Sequence, residues 1–179
     1  LQAAEACGLA HGDLRPKKVY REREGGTARI ADFGQSEASC LGNGFGREGL
    51  PFGHPAYLAP EVVQERLQAP TLQTDLYALG IMFYELVTGV LPFVGGSVRE
   101  QLRAHLTQPL PPPPEEVSIP QHMALVMLKM TAKKPVKRYQ SPAEVLAGLE
   151  ECLEVSTSGE LAALSISVEE FNPLASSQI

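Results

Sequence analysis

Between Leu76 and Tyr84 the chain reads Leu-Tyr-Ala-Leu-Gly-Ile-Met-Phe-Tyr without a single charge. Asp75 precedes this run, and Gly89 and then Pro92 close it, so the pattern predicts one long helix from about residue 73 to residue 88. A helix that is apolar on every side belongs at the centre of a domain, with other elements packed about it. That requirement sets the architecture: one core, mostly helical, built outward from this segment. At 179 residues the chain suffices for one such domain and is too short for two comfortable ones. The apolar run from Leu76 to Leu86 falls well short of the ~20 residues that cross a bilayer, and no cleavable signal is recognisable ahead of it.

The remaining elements fall on either side of this helix. Residues 1–9 carry apolar side chains at positions 1, 3, 4, 6, 7 and 9, which reads as the last turns of a core-packed helix with Gly8 near its end. Because the chain opens inside this helix and without Met, a fragment is expected, with any preceding segment out of view. Val19-Tyr20-Arg21 and Ala28-Arg29-Ile30-Ala31 are strand candidates, and Gly25-Gly26 between them suits a tight hairpin turn. Asp32 to Glu61 is irregular and rich in Gly, Ser and Pro; at that length it is expected to be functional or disordered. Pro60 to Arg66 reads as a short helix with Pro at its first position. Ser97 to Gln108 is an amphipathic helix with Ser97 and Glu100 as a capping box. Pro109 and Pro111 to Pro114 impose an extended polyproline stretch, read as a stiff connector, with an SH3-type ligand as the less favoured use. Residues 120–130 and 141–153 supply two more helices. Residues 154–179 read as a weakly ordered tail or linker, with at most a short helix near 160–164.

A net charge of −6 gives no reason to expect nucleic-acid binding, which normally needs a basic face. The one basic run, Lys133-Lys134-Pro135-Val136-Lys137-Arg138, reads as a solvated loop in preference to an anion site. Cys7, Cys40 and Cys152 are odd in number and scattered, so neither a disulfide framework nor a zinc site follows, and a reducing, cytoplasmic compartment is expected.

The chemistry concentrates between His11 and Gly34. There His11-Gly12-Asp13-Leu14-Arg15-Pro16-Lys17-Lys18 is followed, across the hairpin, by Asp32-Phe33-Gly34. Two acidic residues at the edges of short apolar segments suggest one polyphosphate-metal site. These residues resemble the catalytic loop H-R-D-L-K-P-x-N and the D-F-G of protein kinases. Further along, Gly53-His54-Pro55-Ala56-Tyr57-Leu58-Ala59-Pro60-Glu61 resembles G-T-P-x-Y-x-A-P-E. Thr74-Asp75-Leu76-Tyr77-Ala78-Leu79-Gly80 resembles the start of the kinase central helix. Lys134-Pro135-Val136-Lys137-Arg138-Tyr139 is similar to D-P-x-x-R-F. Five motifs in family order over residues 1–153 identify a serine/threonine-type kinase C-terminal lobe, bacterial in style. The resemblance implies a mainly α fold with a small β-hairpin, lacking the N-terminal lobe, with 1–153 a partial kinase domain.

The resemblance also implies roles. Asp13 orients the substrate hydroxyl and accepts its proton, with Arg15 near the transferred phosphate. Asp32 holds magnesium, a hard ion that prefers carboxylate and phosphate oxygens. Lys18 and Tyr20 take the metal-ligand asparagine and adenine-floor positions of the nucleotide site. Glu61 and Arg138 pair to anchor the activation segment. Asp75 braces the catalytic loop, Tyr57 and Pro60 shape the substrate platform, and His11, Phe33 and Gly34 are structural. ATP and Mg²⁺ would serve the full-length parent, with neither held tightly by this fragment alone. A protein substrate or regulatory protein is the implied partner.

The departures fall within the same stretch. Lys18 replaces an asparagine that supplies a neutral oxygen to a second metal; an ammonium has donors only and cannot ligate Mg²⁺. It either costs that metal or partly replaces its charge. Gly12 replaces an arginine that clamps an activation-loop phosphate in many relatives, although Ser36 and Ser39 remain as possible phosphosites. His54 replaces a threonine. The expected function is therefore an impaired serine/threonine kinase in the parent, inactive as this fragment, with a pseudokinase scaffold or interaction module as the alternative.

Overall fold

The computed structural model describes residues 1–23, 25–33, 53–64, 69–157 and Phe171. In chain order these form α1 (Gln2–Ala6), β1 (Val19–Arg21), β2 (Ala28–Ile30), α2 (Pro60–Val63), α3 (Leu72–Thr88), α4 (Val98–Thr107), α5 (Gln121–Met130) and α6 (Pro142–Thr157). Single 3₁₀ turns occur at Pro16–Lys18, Pro55–Tyr57 and Pro135–Lys137, each with Pro at its start. The architecture is mainly α with a single two-stranded sheet among the described residues.

Helix α3 is the centre, as its uncharged middle requires. Thr71 and Thr74 close a reciprocal cap at its start, and Gly89 ends it in a left-handed conformation. One side of α3 places Tyr77, Ile81 and Tyr84 in a cluster with Leu58, Phe93 and Met127. Another places Leu76 against Val126, Met130, Tyr139 and Val145. Leu76, Tyr77 and Ile81 are fully buried, each contributing roughly 1.5–3 kcal/mol of apolar burial. Gly80 lets α5 approach: a Cβ there would lie 2.7 Å from Met130 Cβ and 2.8 Å from Thr131 Cγ2. Phe171, the one described residue beyond α6, is itself fully buried in the first cluster.

The hairpin pairs Val19 with Ile30, Tyr20 with Arg29 and Arg21 with Ala28, antiparallel. Gly25 and Gly26 turn it with φ of +83° and +67°. An ion pair between Arg29 and Glu22 braces its outer end.

Three sequence expectations need correction. The first helix stops at Ala6 and buries no residue, because its apolar positions are mostly alanines and Gly8 turns left-handed at φ +66°. Of the four cations in the basic run only Lys134 and Lys137 are exposed; Arg138 is 2% exposed and the Lys133 ammonium nitrogen is buried. The last helix runs to Thr157, past the expected residue 153. Gly34, Ser36, Ser39, Cys40, Glu65, Arg66 and the expected short helix at 160–164 lie outside the described residues.

Candidate active site

The loop bearing Asp13 hangs from the first turn of α3. The Asp75 carboxylate accepts the His11 N–H at 2.6 Å and the Gly12 N–H at 2.8 Å. Burial opposes its charge and those two donors favour it; burial is the larger effect, so the Asp75 carboxyl is pushed up from its ordinary range. Gly12 itself sits at φ +77°, which glycine adopts without the penalty a side chain would meet.

His11, 1% exposed, joins this loop to the second acidic residue. A carbonyl only accepts, so His11 Nε2–H donates to Ala31 O at 2.8 Å, leaving Nδ1 to accept the Asp13 N–H at 3.2 Å. The His11 ring lies 4.8 Å from that of Phe33. One buried imidazole thus holds the backbone of Asp13 and the segment Ala31–Phe33 in a fixed relation.

Each candidate acidic group has a basic neighbour. Arg15 Nε lies 3.2 Å from Asp13 Oδ2 but its N–H is not aligned for a hydrogen bond, so charge alone joins them. Lys18 Nζ lies 2.5 Å from Asp32 Oδ2. That hydrogen bond, against a smaller opposing desolvation, lowers the Asp32 carboxyl below its ordinary range. Asp32 also takes φ +66°, the one described non-glycine residue at positive φ. Such a backbone costs energy and persists only where surroundings impose it.

The Asp32 carboxylate, its side chain 38% exposed, offers the kind of oxygen donor that a hard cation such as magnesium takes. Lys18 offers no lone pair to a metal ion, and among the described residues no group of three or more His, Cys, Asp or Glu gathers. Tyr20 is 57% exposed on β1. Strand alternation sends Val19 to the opposite face, where it lines an apolar cleft of about 460 Å³ with Pro16, Leu79, Met82 and Leu149.

The platform beyond the site is rigidly anchored. Arg138 Nη1 and Nη2 donate to the two Glu61 carboxylate oxygens at 2.7 Å each. Its remaining donors reach Ala132 O at 2.8 Å, Gln73 O at 2.7 Å and Lys133 O at 3.3 Å. Every N–H of this buried guanidinium therefore has an acceptor. Pro60 is buried at the start of α2, and His54 Nδ1 accepts the Ala56 N–H at 3.3 Å, committing that nitrogen to its own turn. Burial and the Arg15 charge lower the His54 imidazole below its ordinary range.

Sequence reasoning missed two features. Tyr57 donates its hydroxyl to Glu85 Oε2 at 2.7 Å. Burial first, then Glu85, pushes that phenol well above its ordinary range. The signal was present: Asp75 and Glu85 are the only charges in α3, and both brace loops of the site. The second is a buried group around Tyr77, whose hydroxyl meets His105 Nδ1 at 2.9 Å. Lys133 Nζ stands 4.5 Å from the Phe93 ring and has no hydrogen-bond partner among the described residues. No sequence spacing joins these residues.

This arrangement, two acidic residues on loops locked to one central helix and a platform pinned by a buried ion pair, is that of a protein kinase C-terminal lobe. Residues 2–151 match the family model described as the protein kinase domain, and the chain belongs to that family. It is 40% identical over 148 residues to the serine/threonine-protein kinase Pkn1 of Myxococcus xanthus, covering 80% of this chain and 21% of that protein. It is 37% identical over 144 residues to the DNA damage-responsive serine/threonine-protein kinase RqkA of Deinococcus radiodurans, covering 80% of this chain and 21% of that protein. It is 32% identical over 144 residues to PknB of Mycolicibacterium smegmatis, covering 79% of this chain and 23% of that protein. The chain thus spans about a fifth of the length of these three relatives.

Proposed function

We propose that this chain is the helical half, residues 1–153, of a serine/threonine kinase domain, and that the complete domain transfers the terminal phosphoryl group of ATP to protein hydroxyls. The observation that carries this is the Asp75–His11 relay, which fixes the Asp13 loop against the segment bearing Asp32. Phosphoryl transfer needs positioning and charge compensation more than covalent chemistry, and a rigid relay supplies the first. Asp13 accepts a hydrogen bond from the substrate hydroxyl, orients it and receives its proton. Arg15 places positive charge beside Asp13, where phosphate oxygens arrive. Asp32 would hold magnesium, which would supply positive charge against the nucleotide phosphates. Tyr57 and Glu85 shape the surface that receives the protein substrate. Among the described residues no helix is long and apolar enough to cross a membrane. The odd, scattered cysteines of the sequence, with no CxxC spacing, support action in a reducing, cytoplasmic compartment.

A second reading is favoured by one specific contact. The Lys18 ammonium on Asp32, with Gly12 in place of arginine, suits a pseudokinase scaffold that keeps the fold and binds protein partners. Phosphate transfer from γ-labelled ATP to a generic basic protein, measured on the full-length protein and its Asp13→Ala variant, separates the two. Turnover that falls at least about a hundredfold in the variant supports the kinase; turnover absent from both leaves the scaffold.

A further inference from the structure

Lys18 is built into the site by the hairpin. Ala31 N–H donates to Lys18 O at 2.9 Å, extending the β1–β2 ladder by one step beyond the Val19–Ile30 pair. That register sets Lys18 across from Ala31 and beside Asp32. The Pro16–Lys18 turn fixes the other side, with Lys18 N–H on Arg15 O at 2.8 Å. The two partners are unequally buried: the Lys18 side chain is 13% exposed and that of Asp32 is 38%. The cation is therefore part of the floor, and the carboxylate keeps a face open to an incoming ligand.

An ammonium so placed has a fixed charge and three donors, which suit phosphate oxygens, and no lone pair for a metal. We propose that Lys18 is a resident cation of this site: it takes the place of one of two divalent ions, so that nucleoside polyphosphate is held with a single divalent ion on Asp32. The Lys18 ammonium lies against the phosphates and competes with that ion for the carboxylate. This rests on the nucleotide-binding part of the reading above, but not on turnover.

The test has two arms. In the first, the ¹⁵N-labelled chain is titrated with manganese chloride alone, following paramagnetic broadening of the Asp32 and Ala31 amides. Wild type should need at least about tenfold more Mn²⁺ for half-broadening than Lys18→Met, because the internal cation has gone in the variant. Lys18→Arg, which keeps the charge, should behave as wild type, and Asp32→Asn should abolish specific broadening in every background. Unperturbed Ile30 and Leu76 amides report that each variant is folded. Equal midpoints for wild type and Lys18→Met overturn the proposal.

In the second arm, Mn²⁺ bound per molecule of ADP is counted by electron paramagnetic resonance on the full-length protein. One ion in wild type and two in Lys18→Asn are expected; two in wild type overturn the proposal. One ion in wild type with no phosphate transfer would remove the kinase reading and leave this one standing. If ADP does not bind at all, the proposal falls together with the nucleotide-binding reading on which it rests.

Discussion

Two ion pairs tie distant parts of this chain together, and they are built on opposite terms. Glu61–Arg138 is buried, bidentate and closed: all five guanidinium N–H groups are used, and the Tyr77 ring lies 4.9 Å from its central carbon. Lys18–Asp32 is a single contact at 2.5 Å with its carboxylate open to solvent. A closed pair can only be broken, at the cost of stranding a buried charge, whereas an open pair can be exchanged for another ligand. The first therefore defines scaffold and the second defines site.

The largest expected effect comes from breaking the closed pair. Arg138→Met should cost about 3–5 kcal/mol in urea unfolding, since Glu61 is left buried and uncompensated. Adding Glu61→Leu to that variant should recover more than half of the loss. Recovery would show that the penalty is the stranded carboxylate; none would show that Arg138 works chiefly through its three backbone acceptors.

Asp75 lies between the two cases, buried like Glu61 but bonded, among the described residues, to backbone N–H groups. Asp75→Ala should cost roughly 1–3 kcal/mol, because the His11 and Gly12 donors lose their acceptor. It should also speed hydrogen exchange at both amides by at least about tenfold, while the Arg138 region stays protected. Equal deprotection at both places would mean that the loop and the platform open as one unit.

How far these relations are legible in the sequence follows from their range. Local signals carried well: the Ser97–Glu100 capping box, the Gly25-Gly26 hairpin and the uncharged middle of α3 depend on neighbours a few residues apart. Asp75 at a helix start announces a carboxylate able to take backbone donors, although its partners lie 63 and 64 residues earlier. The family resemblance implied the Glu61–Arg138 pair, 77 residues apart, and composition alone would not have. What stayed hidden was set by packing. Lys133 reads as a solvated lysine beside Lys134, yet the fold draws its ammonium against Phe93 and Tyr77. Lys18 on Asp32 depends on hairpin register, which one residue of slip would undo.

Lys133 offers a cation buried with no carboxylate paired to it among the described residues. Burial first, and then the Arg138 charge, lowers its ammonium to about 7 from an ordinary 10.5. The unfolded chain therefore binds more protons than the fold between those values, so stability should rise as pH climbs from about 7 to about 10.5. His105, its neighbour, is held to about 3 by burial and then by the Lys133 charge, so it is neutral throughout that window; its own effect is a loss of stability as pH falls below about 6.5. Lys133→Met should flatten the slope above pH 7 and stabilise the fold by about 1–2 kcal/mol at pH 7. A slope unchanged in that variant would assign it to another group.

The smallest expected effect on stability belongs to the open pair, and the prediction is a dissociation of two readouts. Lys18→Met should leave the unfolding midpoint unchanged within error, because an accessible carboxylate that loses its ammonium is compensated by water. Raising sodium chloride from about 0.05 to about 1 M shortens the Debye length from over 10 Å to about 3 Å. That change should raise the Asp32 carboxyl toward its ordinary range in wild type, followed by ¹³C shifts, and should scarcely move it in Lys18→Met. Stability over the same salt range should track the buried Glu61–Arg138 pair and stay nearly flat. A midpoint that fell with Lys18→Met as it does with Arg138→Met would make both pairs scaffold and remove the distinction on which an exchangeable Asp32 depends.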